Sequence, residues 1–150
     1  MGTGATEDAA SGRAARSDDT DDVSPYPPMR MPRVYLAGPP YAEEYRRRAT
    51  ELCEAAGWEV VDPMRRDFRG RTQGHETEIV EGDLEEIRSC DAVLAAFTAP
   101  DEGTAMEAWY AREQGIRVVA YTGGTPAHPW TVYVADAACA DLQAAVRALA

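Results

Sequence analysis

The chain has 150 residues, 45% of them hydrophobic, and a formal net charge of −11. That length and apolar content suit one domain with a real core, and the acidity argues against a broad nucleic-acid footprint. All 15 basic residues are arginine, so no lysine is there to form a Schiff base, and no apolar run approaches the roughly 18 residues a membrane span requires.

No apolar h-region opens the chain, so a secretory signal is not read there and a cytoplasmic setting is expected. Residues 1–30 are rich in Gly, Ala, Ser, Thr and Asp, with the run Asp18-Asp19-Thr20-Asp21-Asp22. They read as a disordered acidic tail that can bury little. The folded domain is expected over 31–150. It opens with a strand at 33–37, stopped by Gly38-Pro39-Pro40. A helix follows over 42–56, with Tyr45, Leu52 and Cys53 as apolar contacts and Arg46, Arg47 and Arg48 on a solvated face. Gly57 ends it, and a second strand runs over 58–61. The polar stretch 63–74 carries Arg65, Arg66, Arg69 and Arg71, and a loop of that length is often functional. Ile79, Val80, Leu84 and Ile87 recur at helical spacing, which predicts a helix over 75–89. A continuous apolar strand follows at 91–97, then a helix at 104–114 capped by Gly115, and a strand at 117–122. Gly123-Gly124-Thr125-Pro126 breaks the pattern. The β-branched and aromatic run 130–134 reads as a short fifth strand and 137–149 as a closing helix. Cys53, Cys90 and Cys139 are odd in number and lack any C-x-x-C spacing. They read as small buried hydrophobes, not as a disulfide frame or a zinc site.

This alternation predicts an α/β fold: a single-domain, Rossmann-like or flavodoxin-like parallel sheet of five strands with helices on both faces. Ligands of such sheets bind at the carboxyl ends of the strands, where the strand order reverses. No G-x-G-x-x-G follows the first strand and no P-loop pattern occurs, so dinucleotide and P-loop sites are not expected. The stretch Asp101-Glu102-Gly103-Thr104-Ala105-Met106-Glu107-Ala108-Trp109-Tyr110-Ala111 lies at that edge, after the third strand. Glu107 is the candidate nucleophile there. By spacing alone, Thr104 and Glu107 also form a capping box, which would make Glu107 a helix cap.

Three motifs now carry a resemblance. Val34-Tyr35-Leu36-Ala37-Gly38-Pro39, then Glu78 through Ile87 (EIVEGDLEEI), then Asp101 through Ala111 resemble the nucleoside 2-deoxyribosyltransferases in order and spacing. The resemblance covers roughly 32–121. It implies a covalent deoxyribosyl-enzyme formed without metal or organic cofactor. Glu107 matches the family's nucleophile, Tyr35 the tyrosine that holds that carboxylate, and Asp83 the aspartate that handles the proton on the base. Asp101 matches a second aspartate of the site. Gly38, Gly103 and Met106 lie within these motifs and Asp67 in the stretch 63–70, which resembles the family's base-contacting loop; the resemblance makes all four substrate-binding candidates. The implied partners are a small-molecule nucleoside and a free nucleobase, with no polymeric nucleic acid and no membrane. Family members are also oligomers, so a homo-oligomer, dimer or larger, is implied.

Each residue has a plainer reading. Tyr35 could be an ordinary strand aromatic, Asp83 a solvated acid among Glu81, Glu85 and Glu86, and Asp101 a helix cap or turn residue. Met106 and Trp109 read as packing. Asp67 stands where some members carry Gln. A carboxylate only accepts hydrogen bonds, so Asp67 would favour bases that present N–H donors, unless it pairs with a loop arginine. The 5′-hydroxyl-contacting Asn of some members has no clear counterpart. In related nucleoside 5′-monophosphate N-glycosidases the position of Asp101 is a serine, and the turn after the first strand is Ser/Arg/Gly-rich. Here that turn, 38–44, has no arginine and two acids. Hydrolysis of such a monophosphate, and non-catalytic nucleoside binding, remain the alternatives to transfer.

Overall fold

A computed structural model describes Pro25 and residues 30–150. Apart from Pro25 and Arg30, the tail expected over 1–30 lies outside the described residues. Five strands form one sheet: β1 (Arg33–Ala37), β2 (Glu59–Val61), β3 (Ala92–Ala96), β4 (Arg117–Tyr121) and β5 (Ala137–Cys139). All neighbours pair in parallel, in the order β2-β1-β3-β4-β5. The order reverses between β1 and β3, which pair with Val34 opposite Ala92 and Ala37 opposite Ala95.

Strand periodicity divides the core in two. Val34 and Leu36 of β1, with Ala92, Leu94 and Ala96 of β3, face α1 (Glu43–Ala55) and α5 (Leu142–Ala148). Tyr35 and Ala37, with Val93 and Ala95, face α2 (Glu76–Arg88), α3 (Glu102–Glu113) and α4 (Pro129–Val134). Both strands are almost wholly buried because both faces are covered. Gly57 and Gly115 end α1 and α3 at φ 90° and 72°, where a side chain would be strained.

Four expectations are corrected. Residues 130–134 are helix, not strand. Pro129 occupies the first helical turn, and His128 Nδ1 accepts the Trp130 N–H at 3.2 Å. The fifth strand is Ala137–Cys139, and the last helix begins only after Asp141, which caps it through the Ala144 N–H. Arg46 is not on a solvated face: it is 7% exposed and lies on the same stripe as Ala49 and Cys53. Burial also fails for some apolar residues. Val80 is 53% exposed, and Cys139, on the edge strand, is only half-buried while Cys53 and Cys90 are buried.

Candidate active site

The carboxyl ends of β1 and β3, the first turn of α3 and the middle of α2 enclose a cavity of about 390 Å³, lined in part by Gly38, Arg46, Asp83, Asp101, Gly103 and Glu107. The loop between β2 and α2 closes its outer side with Arg66, Phe68 and Arg69.

Asp101 opens α3. Its Oδ2 accepts the Thr104 N–H at 2.9 Å and the Thr104 hydroxyl at 2.6 Å. The cap is therefore Asp101 and not Thr104, and Glu107 lies a full turn too far along for a capping box. Freed from that role, Glu107 turns inward. The residue as a whole is half-buried, but its Oε2 is shut off from solvent without a hydrogen-bond partner. Burial, and next the charge of Asp83, push its carboxyl up to about 8, while Tyr35 and Arg46 pull the other way. Tyr35 is fully buried on the α2/α3 face of β1, and its hydroxyl also lacks a geometrically acceptable partner. That hydroxyl is nonetheless close enough to feel Glu107: its pKa is raised by burial first and by Glu107 second. Tyr35 thus lies beside Glu107 in the core behind the pocket, short of a well-aligned bond.

Asp83 approaches from α2. Burial raises its pKa, and Arg66 opposes that rise. Arg66 Nη2 donates to Asp83 Oδ1 at 2.8 Å and Arg66 Nε to Glu86 Oε1 at 3.0 Å. Arg46 fixes the opposite wall. It donates to the carbonyls of Leu36 (3.3 Å) and Gly38 (2.7 Å) and pairs with Asp62 at 2.7 Å. Gly38 has no room for more: a Cβ there would lie 2.9 Å from Tyr45 Cε1, whose ring is pinned by hydroxyl bonds to the Ala37 and Leu94 carbonyls. Gly103 is open instead. A Cβ there would lie 3.7 Å from Glu107 Oε1, so the glycine leaves the approach to that carboxyl clear.

The structure thus brings Glu107, Asp83, Tyr35, Asp101, Gly38 and Gly103 together. It does not bring Asp67 or Met106. Asp67 is exposed and clamped by Arg69, whose Nη2 lies 2.7 Å from Asp67 Oδ2, and that arginine holds its carboxyl down at about 2. Met106 is 71% exposed and lines a separate cavity of about 300 Å³ between α3 and α4, with Phe97, Trp109 and Trp130. That second cavity has no titratable side chain and offers no chemistry. Sequence reasoning missed Arg46. The spacing 46, 49, 53 was the available signal, hidden by the run of three arginines. Among the described residues no group of three or more His, Cys, Asp or Glu is placed to hold a metal ion, and no helix is long and apolar enough to cross a membrane.

The family described as nucleoside 2-deoxyribosyltransferase matches residues 34–143. Among solved structures, a 2-deoxyribosyltransferase from the psychrotolerant bacterium Bacillus psychrosaccharolyticus superposes with a TM-score of 0.62 at 21% identity, over 75% of this chain and 88% of that one. No curated protein matches the chain.

Proposed function

Because this chain belongs to the nucleoside 2-deoxyribosyltransferase family, whose members are glycosyltransferase-type enzymes, we propose that its pocket cleaves the N-glycosidic bond of a 2′-deoxynucleoside and passes the sugar to another base or to water. The observation that carries this reading is the convergence of Glu107 and Asp83 on one cavity at the strand-order reversal, with the buried Tyr35 hydroxyl beside Glu107 from the core side.

The chemistry divides between two carboxyl groups. As the C1′–N bond breaks, C1′ takes on oxocarbenium character, and Glu107 captures it by forming a C1′–O bond. The departing base leaves with the bonding pair and takes a proton from Asp83. An incoming base then attacks C1′, gives its proton to Asp83 and releases Glu107. Tyr35 orients one oxygen of Glu107. One proton is thus shared by the Asp83–Glu107 pair, and the productive form holds it on Asp83. A homo-oligomer, dimer or larger, and a cytoplasmic setting belong to the same reading. The exposed cluster of Trp109, Trp130 and Tyr133 supports self-association.

The test is a mixture of a deoxynucleoside and a second free base. Exchanged nucleoside is the expected product. Free base and sugar without exchange would move the assignment to hydrolysis, and no turnover of any nucleoside or its monophosphate would favour a binding module.

A further inference from the structure

Gly82 lies in the interior of α2, where glycine is the least favoured residue after proline. Its φ is not in the left-handed region, so the backbone does not demand it. Space does. A Cβ on Gly82 would lie 2.7 Å from Arg66 Cζ and 3.2 Å from Arg66 Nη2. The guanidinium therefore lies in a notch that exists only because residue 82 has no side chain. From that notch it reaches Asp83 with Nη2 and Glu86 with Nε, at 2.8 and 3.0 Å.

We propose that Arg66, seated in the Gly82 notch, is a positioning residue for Asp83: it fixes the carboxylate that faces the pocket and sets its charge before substrate arrives. The inference rests on Asp83 as the proton carrier of the proposed reaction. The groups facing Asp83 come from every packed element: Glu86 on α2, Arg66 on the preceding loop, Arg46 on α1, Glu107 on α3 and Tyr35 on β1. Of the two cations, Arg66 makes the direct ion pair and Arg46 is committed to Asp62 and to backbone carbonyls. Arg66 thus favours an ionised Asp83 and leaves the shared proton on Glu107. The base must loosen that clasp for the proton to reach Asp83.

The experiment follows the Asp83 carboxyl by NMR titration in protein labelled at aspartate carboxyl carbons, with Asp83→Asn to assign the resonance. Arg66→Ala and Gly82→Ala are compared with the unaltered chain. Gly82→Ala keeps the arginine and suits the helix, yet fills the notch. In both variants Asp83 is expected to titrate at higher pH, and Arg66→Lys, which keeps the charge, is expected to recover part of the shift. Because Asp83 and Glu107 titrate as a pair, the pH–rate profile of base exchange should move to higher pH as a whole. An Asp83 titration left in place in Arg66→Ala, or a profile lowered without displacement, overturns the proposal. A shifted titration in a protein that exchanges no base supports the clasp and defeats the enzymatic reading instead.

Discussion

At the scale of single residues, the acids in and beside the pocket sit in environments that pull them apart. Asp67 is exposed and held ionised by Arg69, Asp101 is committed to capping α3, and Glu107 is driven toward its neutral form by burial. The last of these has a consequence for stability. In the folded chain Glu107 keeps its proton up to about 8, against an ordinary value of 4.5. Its stabilising contribution is therefore fully present below about 4.5 and is lost as pH rises through about 8, because the fold binds a proton that the unfolded chain releases. Glu107→Gln removes this dependence without disturbing the helix cap, which belongs to Asp101. The variant should melt close to the unaltered protein at pH 4 and above it at pH 8, with the gap opening between. Thermal melts across that range check this, and a gap independent of pH would contradict it. The same substitution should lower turnover by at least about a thousandfold, as loss of a nucleophile does.

At the scale of elements, the pocket depends on turns that are tied down from behind. Arg46 links α1 to the carbonyls at the end of β1 and to Asp62 at the end of β2. Arg46→Ala would leave those carbonyls and the Asp62 carboxylate without their partner, at a cost of about 3–5 kcal/mol. Denaturant unfolding measures this, and a loss under about 1 kcal/mol would show that water replaces the guanidinium freely. The elements that were legible in the sequence are those whose physics is local and unambiguous. β1 and β3 are continuous apolar runs because parallel strands are buried on both faces, and α3 was legible as a helix after β3, although it starts at Glu102 behind the Asp101 cap and not at Thr104. What misled was residue chemistry that suits two conformations. Trp130 to Val134 carries strand-like side chains, but the cap at His128 and Pro129 starts a helix. Ala137–Cys139 has no strand-like bulk and becomes a strand by pairing with β4. A local cap decided the first and pairing with a distant strand the second. Arg46 was illegible for a related reason: its burial is made tolerable by carbonyls from a different element.

At the scale of the whole molecule, charge placement bears on substrate class. Among the described residues, the arginines that line the pocket are all ion-paired: Arg46 with Asp62, Arg66 with Asp83 and Glu86, and Arg69 with Asp67 and Glu43. Asp83, Asp101 and Glu107 line the same cavity. A 5′-phosphate bound near Asp101 would meet like charge. One such pair at about 4 Å costs roughly 1 kcal/mol in water and about 4 at an effective dielectric near 20, and the middle of that range is on the order of a hundredfold in binding. Turnover of a deoxynucleoside should therefore exceed that of its 5′-monophosphate, and Asp101→Ser should narrow the difference; preference for the monophosphate by the unaltered protein would promote the hydrolase reading. The fold and its family membership were visible from three motifs in order, since those motifs are the tip of β1, the body of α2 and the start of α3, which converge. The pairing of Asp67 with a loop arginine was already the plainer reading of that residue; the turn of Met106 away from the pocket was not visible, because adjacency in a motif says nothing about which way a side chain turns. The central claim, that Glu107 captures the sugar, is tested most directly by intact mass after incubation with a 2′-fluoro nucleoside, whose fluorine disfavours the oxocarbenium-like transition state and slows release of the captured sugar. The expected result is a glycosyl adduct on the unaltered protein and none on Glu107→Ala; an adduct that persists in Glu107→Ala would contradict it.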